Sequence, residues 1–512
     1  MTSDVSAQPS RWRSPWGVPV LALGTVALHL LFAGHYGYFW DELYFIACGQ
    51  HLAWGYVDQP PLIAVAARLA TALFGESLTG LRLLPALATG GLVLLTARLA
   101  RRLGGGPYAQ ALSGMSVALA PIFLAFGHLL TMNAFEPLLW LGCSLLLVEL
   151  IRTGEQRLWL AVGAVVGVGM LNKHSMAFFT LCLALGLVLT PQRRLMRSRW
   201  LVLGAGLATL LVLPHVLWQL RNGWPMLELL RNGQLYKNAP FALGEFLSGQ
   251  VLLLHPLFVP LWLAGLGFLL FGAAARPYRA LGLGFVLLFG LYLVMKAKAY
   301  YLAPAYPVLL AAGAVAFERF LRRGLSRAAV LTVVAAGGAA LAPMTLPVLP
   351  VERFLAYQRA LGVEPPRTER HQMGVLPQYY ADQHGWRELV AAVAEVYRRL
   401  PPEEQERTLI YAQNYGQAGA VDWLGRAYGL PPARSGHNTY FLWGPGEREP
   451  RVLLIIGGKA EDHARVCSRL EVAARLPPNP YVMPYEDQLP LFLCRGLTVP
   501  MATLWPDVKH YQ

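Results

Sequence analysis

Apolar runs broken by short polar turns fill the first two thirds of the 512-residue chain. A membrane-crossing helix needs about 20 mostly apolar residues. The pattern predicts spans near 16–36, 80–98, 109–127, 134–151, 158–171, 175–190, 201–220, 250–271, 280–296, 303–318 and 328–349. That makes a mostly α, polytopic membrane domain of about eleven transmembrane helices over residues 1–349, opening on an uncleaved anchor from Pro15 to Ala33. Beyond residue 349 the long runs give way to shorter periodicities and more charge. An amphipathic helix is predicted over 386–400, strands over 408–412, 439–443, 452–456 and 491–494, and helices over 418–428 and 460–470. This alternation implies a small C-terminal α/β soluble domain, residues 350–512, entered through proline-rich joints at 343–350 and 365–366.

Composition agrees: 55% of residues are hydrophobic and 14% charged, against about 25% charged in a soluble globular protein. The net charge of +14 comes without a basic tract interleaved with aromatics, so nucleic acid is not the expected partner. Arginines, from Arg11 and Arg13 to Arg327, instead punctuate the apolar runs. With a cytoplasmic N-terminus, seventeen face inward, against seven Arg or Lys in the outer loops. An odd number of spans then places the tail on the extracytoplasmic face of a plasma or inner membrane. The five cysteines form no CxxC, which argues against a zinc module. Cys467 and Cys494 either pair in an oxidising compartment or remain two buried thiols.

Unusual polar residues gather in the loops predicted to face outward. Trp40-Asp41-Glu42-Leu43-Tyr44 follows the first span, and its adjacent carboxylates either supply a general base and a second acid or sit in an ordinary aromatic belt. Asp58-Gln59-Pro60-Pro61 presents a polar pair on a backbone stiffened by proline, ahead of the amphipathic stretch Leu62 to Phe74. Asn133 and Glu136 lie three positions apart, on one helical face, and a carboxylate at the lip of an apolar helix is a functional candidate. Lys173 stands in a turn between two short apolar runs. Lys296 and Lys298 lead into Tyr300 and Tyr301, a set able to bind phosphate at headgroup depth or to snorkel. Convergence of these features on one face predicts a composite site there. Neither a P-loop nor a GxGxxG fingerprint is present, so the expected donor is lipid-tethered rather than a soluble nucleotide.

In these motifs the chain resembles the GT-C class of integral-membrane glycosyltransferases, in particular the family 39 type that includes protein O-mannosyltransferases and aminoarabinose transferases. The resemblance rests on Asp41-Glu42, Asp58 to Leu62, Thr131 to Leu138, Leu171 to Ser175 and Tyr300 to Pro307, and covers roughly residues 15–320. It implies inverting transfer of a sugar from a polyprenyl-phosphate donor to a glycan, lipid or protein acceptor of the cell envelope. It also implies Asp41 as the catalytic acidic position, supported by Glu42, with Glu136 as the second acid beside Asn133 where relatives carry Asp. Asp58, Gln59, Asn133, Lys173, Lys298, Tyr300 and Tyr301 would bind donor or acceptor. Gln59 stands where relatives often carry lysine. A divalent ion, held by some relatives near the site, would here fall to Asp58 and His255. The rival expectation is a lipid or solute transporter or flippase, which would place polar groups near span midpoints and show related halves.

Overall fold

The computed structural model describes residues 17–364 and 369–512. Arg11, Arg13, the start of the predicted anchor and the Pro365–Pro366 joint lie outside the described residues. The chain divides into two compact units. One gathers the described residues up to Ala33 with 82–212 and 241–348; the other gathers 34–81, 213–240 and 349–512.

The first unit is an apolar helical bundle, and the chain is a multi-pass membrane protein. Among the described residues of the whole chain, six helices are long and apolar enough to cross a membrane: Leu78–Arg102, Met132–Thr153, Arg199–Arg221, Ala273–Val294, Ala299–Phe320 and Gly324–Met344. Two bent pairs raise this to eight if each is one span, so the expected eleven exceeds what helix length supports. The predicted span 109–127 is one such pair, Pro107–Leu119 and Pro121–His128, bent by 62°. Pro121 has no N–H for the helical ladder and restarts the helix in a new direction. The predicted span 250–271 becomes Leu243–Leu254 and Pro256–Phe271, bent by 89°. His255 takes φ 96° at that break, and its Nδ1 accepts the Leu257 N–H at 3.0 Å. Gly265 and Gly313 let two helices approach so closely that a methyl on either would meet the other helix's backbone carbonyls.

The second unit carries a five-stranded sheet of order β2-β1-β3-β5-β4, with β1 Thr408–Ala412, β2 Ala433–Ser435, β3 Val452–Ile456, β4 Cys467–Arg475 and β5 Pro490–Leu497. β2, β1 and β3 are parallel; β5 and β4 run antiparallel. Helix Trp386–Arg398 buries Trp386, Leu389, Val390, Val393 and Ala394, one stripe at helical spacing. Two expectations fail here. Residues 439–443 are not a strand: Thr439–Leu442 is a short helix. The helix expected over 460–470 stops at Ala464, and β4 begins at Cys467, where a disulfide ties it to Cys494 of β5.

Candidate functional site

In the second unit, two helices meet at their first turns. Helix Trp40–Gln50 is capped by Glu42, whose Oε2 accepts the Phe39 N–H at 2.9 Å. Glu42 is fully buried in that role. Asp41, the second helical residue, is only partly buried. Helix Tyr415–Leu424 is capped by Asn414, whose Oδ1 accepts the Gln417 N–H at 2.9 Å, so Tyr415 is its first residue. Gly416 and Gly419 leave room for Trp40 and for the backbone of Leu43; a methyl at 419 would lie 2.9 Å from the Leu43 carbonyl. The close approach brings the Tyr415 hydroxyl to Asp41 Oδ1, to which it donates at 2.9 Å. Burial raises the Asp41 pKa; the tyrosine's hydrogen bond and Lys237 oppose it.

Asp58 is held in parallel fashion. Tyr44 donates to its Oδ1 at 2.7 Å, and Asn438 Nδ2 reaches Oδ2 at 3.4 Å. The Tyr44 hydroxyl also lies 2.6 Å from Thr439 Oγ1, which accepts the Val57 N–H. Burial raises the Asp58 pKa to about 6, with Asp41 adding and Tyr44 subtracting. Gln59 is fully buried, its amide donating towards Cys48 Sγ at 3.6 Å. Further acids stand in the same unit. Asp382 is pushed well above the carboxylate range by burial and by the charges of Asp41, Glu369 and Glu486. Glu486, bound by the Asn414 and Gln417 amides at 2.9 Å, is raised by burial to about 7. Lys237 pairs with Glu369 at 3.9 Å.

The first unit holds a second group. Asn133 and Glu136 ride the first turn of helix Met132–Thr153, and Lys173 follows the end of helix Leu158–Asn172. Lys173 Nζ donates to Asn133 Oδ1 at 2.8 Å and Glu136 Oε2 at 2.9 Å. It also lies 4.8 Å from the Tyr301 ring centroid and 5.7 Å from that of Tyr300. Ser175 bonds the other Glu136 oxygen, and Asn172 Nδ2 donates to Met132 O at 2.9 Å, pinning the turn. Lys298 is half-buried just before the 3₁₀ segment Ala299–Ala305 that carries both tyrosines.

The predicted residues therefore fall into two groups. Asp41, Glu42, Asp58 and Gln59 belong to the second unit; Asn133, Glu136, Lys173, Lys298, Tyr300, Tyr301 and His255 belong to the first. Sequence reasoning missed Tyr415, Asn438, Thr439 and Lys237 as partners of the acids, and Ser175 as a partner of Glu136. Asn414 as a helix cap was the one local signal near Tyr415.

Of the two residues expected to hold a divalent ion, Asp58 belongs to the second unit and His255 to the first. Both Asp58 oxygens accept protein hydrogen bonds, and His255 Nδ1 is used by Leu257. Among the described residues, no group of three or more His, Cys, Asp or Glu is placed to ligate a metal.

Comparison with known proteins bears out the resemblance read from the motifs. The family model described as dolichyl-phosphate-mannose-protein mannosyltransferase matches residues 58–218. An undecaprenyl phosphate-alpha-4-amino-4-deoxy-L-arabinose arabinosyl transferase of Pseudomonas fluorescens is 27% identical over 242 residues, 43% of this chain and 36% of that protein. A second, from Pseudomonas savastanoi pv. phaseolicola, is 28% identical over 189 residues, 35% of this chain and 28% of that protein. The matched stretch thus spans about a third of the length of these relatives. The crystal structure of ArnT from Cupriavidus metallidurans bound to undecaprenyl phosphate superposes with a TM-score of 0.62 at 16% identity, covering 94% of this chain and 98% of that one. An Archaeoglobus fulgidus oligosaccharyltransferase follows at 0.50 and 11% identity, covering 82% and 64%. The fold is therefore that of the GT-C membrane glycosyltransferases.

Proposed function

We propose that this chain transfers a sugar from a polyprenyl-phosphate donor to an acceptor hydroxyl on the extracytoplasmic face, with inversion. The observation that carries the reading is Asp41, a partly exposed carboxylate with one oxygen fixed by Tyr415, in a chain sharing the ArnT fold over 94% of its length.

Asp41 acts as general base. It takes the acceptor's hydroxyl proton while that oxygen bonds to the anomeric carbon. The bond from the anomeric carbon to the donor phosphate oxygen breaks, and its electron pair leaves with the polyprenyl phosphate. The transition state is oxocarbenium-like, so the carboxylates Asp41 and Asp58 also oppose the positive charge that develops on the ring. In the first unit, Lys173, with Tyr300, Tyr301 and Lys298, is the cationic and aromatic set suited to a lipid phosphate. Glu136 and Asn133 hold that lysine in place. The acceptor is a glycan, a lipid or a protein of the cell envelope.

Residues 1–349 form the membrane transferase domain in this reading, and 350–512 an extracytoplasmic α/β domain. Three shorter apolar helices, Gly17–Phe32, Leu158–Asn172 and Ser175–Val188, cross as well and restore eleven spans. The arginine bias, and a Cys467–Cys494 bridge suited to an oxidising compartment, support this orientation.

The test is mass spectrometry of membrane lipids and envelope glycoconjugates from cells with and without the chain. Loss of one glycosylated product with build-up of a polyprenyl-phosphate sugar is the expected result. Unchanged glycans together with a lipid or solute redistributed between leaflets would replace this reading with a transporter.

A further inference from the structure

Asp41 is fixed by a residue that the family motifs do not reach. Tyr415 lies between two parallel rings, Tyr44 at 4.4 Å and 25° and His437 at 4.5 Å and 24°, with Trp40 edge-on at 5.6 Å. His437 Nδ1 accepts the Tyr415 backbone N–H at 3.3 Å. Asn414 fixes the start of its helix, and Gly416 and Gly419 fix that helix's distance from Trp40 and Leu43. A ring stacked on both faces, at the capped end of a helix seated on glycines, has one place for its hydroxyl. That place is Asp41 Oδ1.

The stacked partner, Tyr44, does the same for Asp58 at 2.7 Å. The two rings thus form one rigid block whose hydroxyls serve the two acids separately. A tyrosine kept only for packing needs no carboxylate at its hydroxyl; here burial first, and then the charges of Asp41, Asp58 and Glu369, keep the proton on the hydroxyl and make it a donor. Asp41 Oδ2 accepts no hydrogen bond from the described residues, so the contact with Tyr415 orients the carboxylate and leaves one oxygen for the acceptor.

We infer that Tyr415 is a positioning residue for Asp41: through one hydrogen bond to Oδ1 it turns Oδ2 towards the acceptor hydroxyl. The inference rests on the reading of Asp41 as general base, and it makes the C-terminal segment a working part of the reaction rather than a cover or a separate acceptor-binding module. Misplacement of a reacting group by about 1 Å costs on the order of 100-fold, which sets the expected scale.

The experiment uses the full chain in detergent and the polyprenyl-phosphate sugar that accumulates in cells lacking it, with release of polyprenyl phosphate as the readout. Tyr415→Phe keeps the stacked ring and removes only the hydroxyl. The expected result is a fall in kcat of about 10- to 100-fold with donor KM nearly unchanged, and an acidic limb of the pH–rate profile moved to higher pH. The shift is upward because the lost bond favours the ionised carboxylate. The groups facing Asp41 that remain are Glu42, Asp58, Lys237, Glu369, Asp382 and Tyr485. In an Asp41→Asn background the same change should cost nothing further, whereas a packing defect would lower turnover equally in both backgrounds. Tyr415→His, which keeps a ring and an N–H donor, should recover part of the loss, and it carries the test if the Phe variant does not fold. An inactive Asp41→Asn beside a Tyr415→Phe with unaltered kcat and pH profile would overturn the positioning role alone. Full turnover by Asp41→Asn would overturn the general-base reading and this inference with it.

Discussion

Lys173 and Glu136 form an ion pair at 2.9 Å, the carboxylate 2% exposed and the lysine 18%. Such a pair costs desolvation on both sides, yet removing one partner strands the other charge, at about 3–5 kcal/mol. Glu136→Gln should therefore lower the unfolding midpoint more than Asn133→Ala, which removes a neutral acceptor. The double variant Glu136→Gln/Lys173→Met should regain much of the loss. Thermal unfolding in detergent checks this; additive losses would mean the two charges do not depend on one another.

Asp41→Asn should lower turnover by roughly 10²- to 10⁴-fold, the usual contribution of a general base. Protein yield and unfolding temperature should change little, because Asn retains an acceptor for Tyr415. Unchanged turnover at normal yield would remove Asp41 from the chemistry.

Glu486 predicts a pH dependence of stability. Its folded pKa is about 7, above the ordinary 4.5, so the folded state holds a proton that the unfolded state releases. The associated stability is fully present below about pH 4.5 and is lost as pH rises to about 7. The loss amounts to about 3 kcal/mol by linkage. Asp58, raised to about 6, adds in the same direction from a lower starting point. Unfolding midpoints measured from pH 5 to 8 should fall in the parent chain and fall less in Glu486→Gln. Equal slopes would count against the raised value.

Gly419→Ala would bring a methyl to 2.9 Å from the Leu43 carbonyl group, backbone that cannot swing aside. Overpacking of about 1–3 kcal/mol should exceed the helix-propensity gain of about 1 kcal/mol. Turnover should fall with stability, since the helix carrying Tyr415 moves away from Asp41. Gly142→Ala is the contrast: nothing lies within 4 Å of that methyl, and the helix should be unaffected or slightly more stable. Equal behaviour of the two variants would contradict the tight seating.

The Cys467–Cys494 bridge closes a sequence separation of 27, worth about 3.5 kcal/mol on loop-entropy grounds. Replacing both with Ser should destabilise the sheet by that order. A reporter fused after residue 512 should be active outside the cytoplasm; a cytoplasmic signal would reverse the orientation.

Strands β1 and β3 were legible residue for residue, because a strand buried on both faces is a plain apolar run. Residues 439–443 read as a strand by composition, yet Thr439 is claimed by Tyr44 and Val57, and tertiary contacts override propensity. β4 was hidden because it is a largely exposed edge strand of mixed polar and apolar residues rather than an apolar run. The same limit governs the site. Asp41 stood out beside a second carboxylate, Glu136 as an acid at the lip of an apolar helix and Lys173 in a turn between apolar runs, but no local pattern pairs Glu136 with a lysine 37 positions on, or Asp41 with a tyrosine 374 positions on.

That last separation sets a clock on biosynthesis. A ribosome adding about 5–20 residues per second needs about 20–75 s to travel from Asp41 to Tyr415, and slightly longer from Tyr44 to Thr439, 395 positions apart. Throughout that interval Asp41 lacks Tyr415, and Tyr44 lacks Thr439. On the proposed function, a chain stalled before Tyr415 would turn over about 10- to 100-fold more slowly than the finished one.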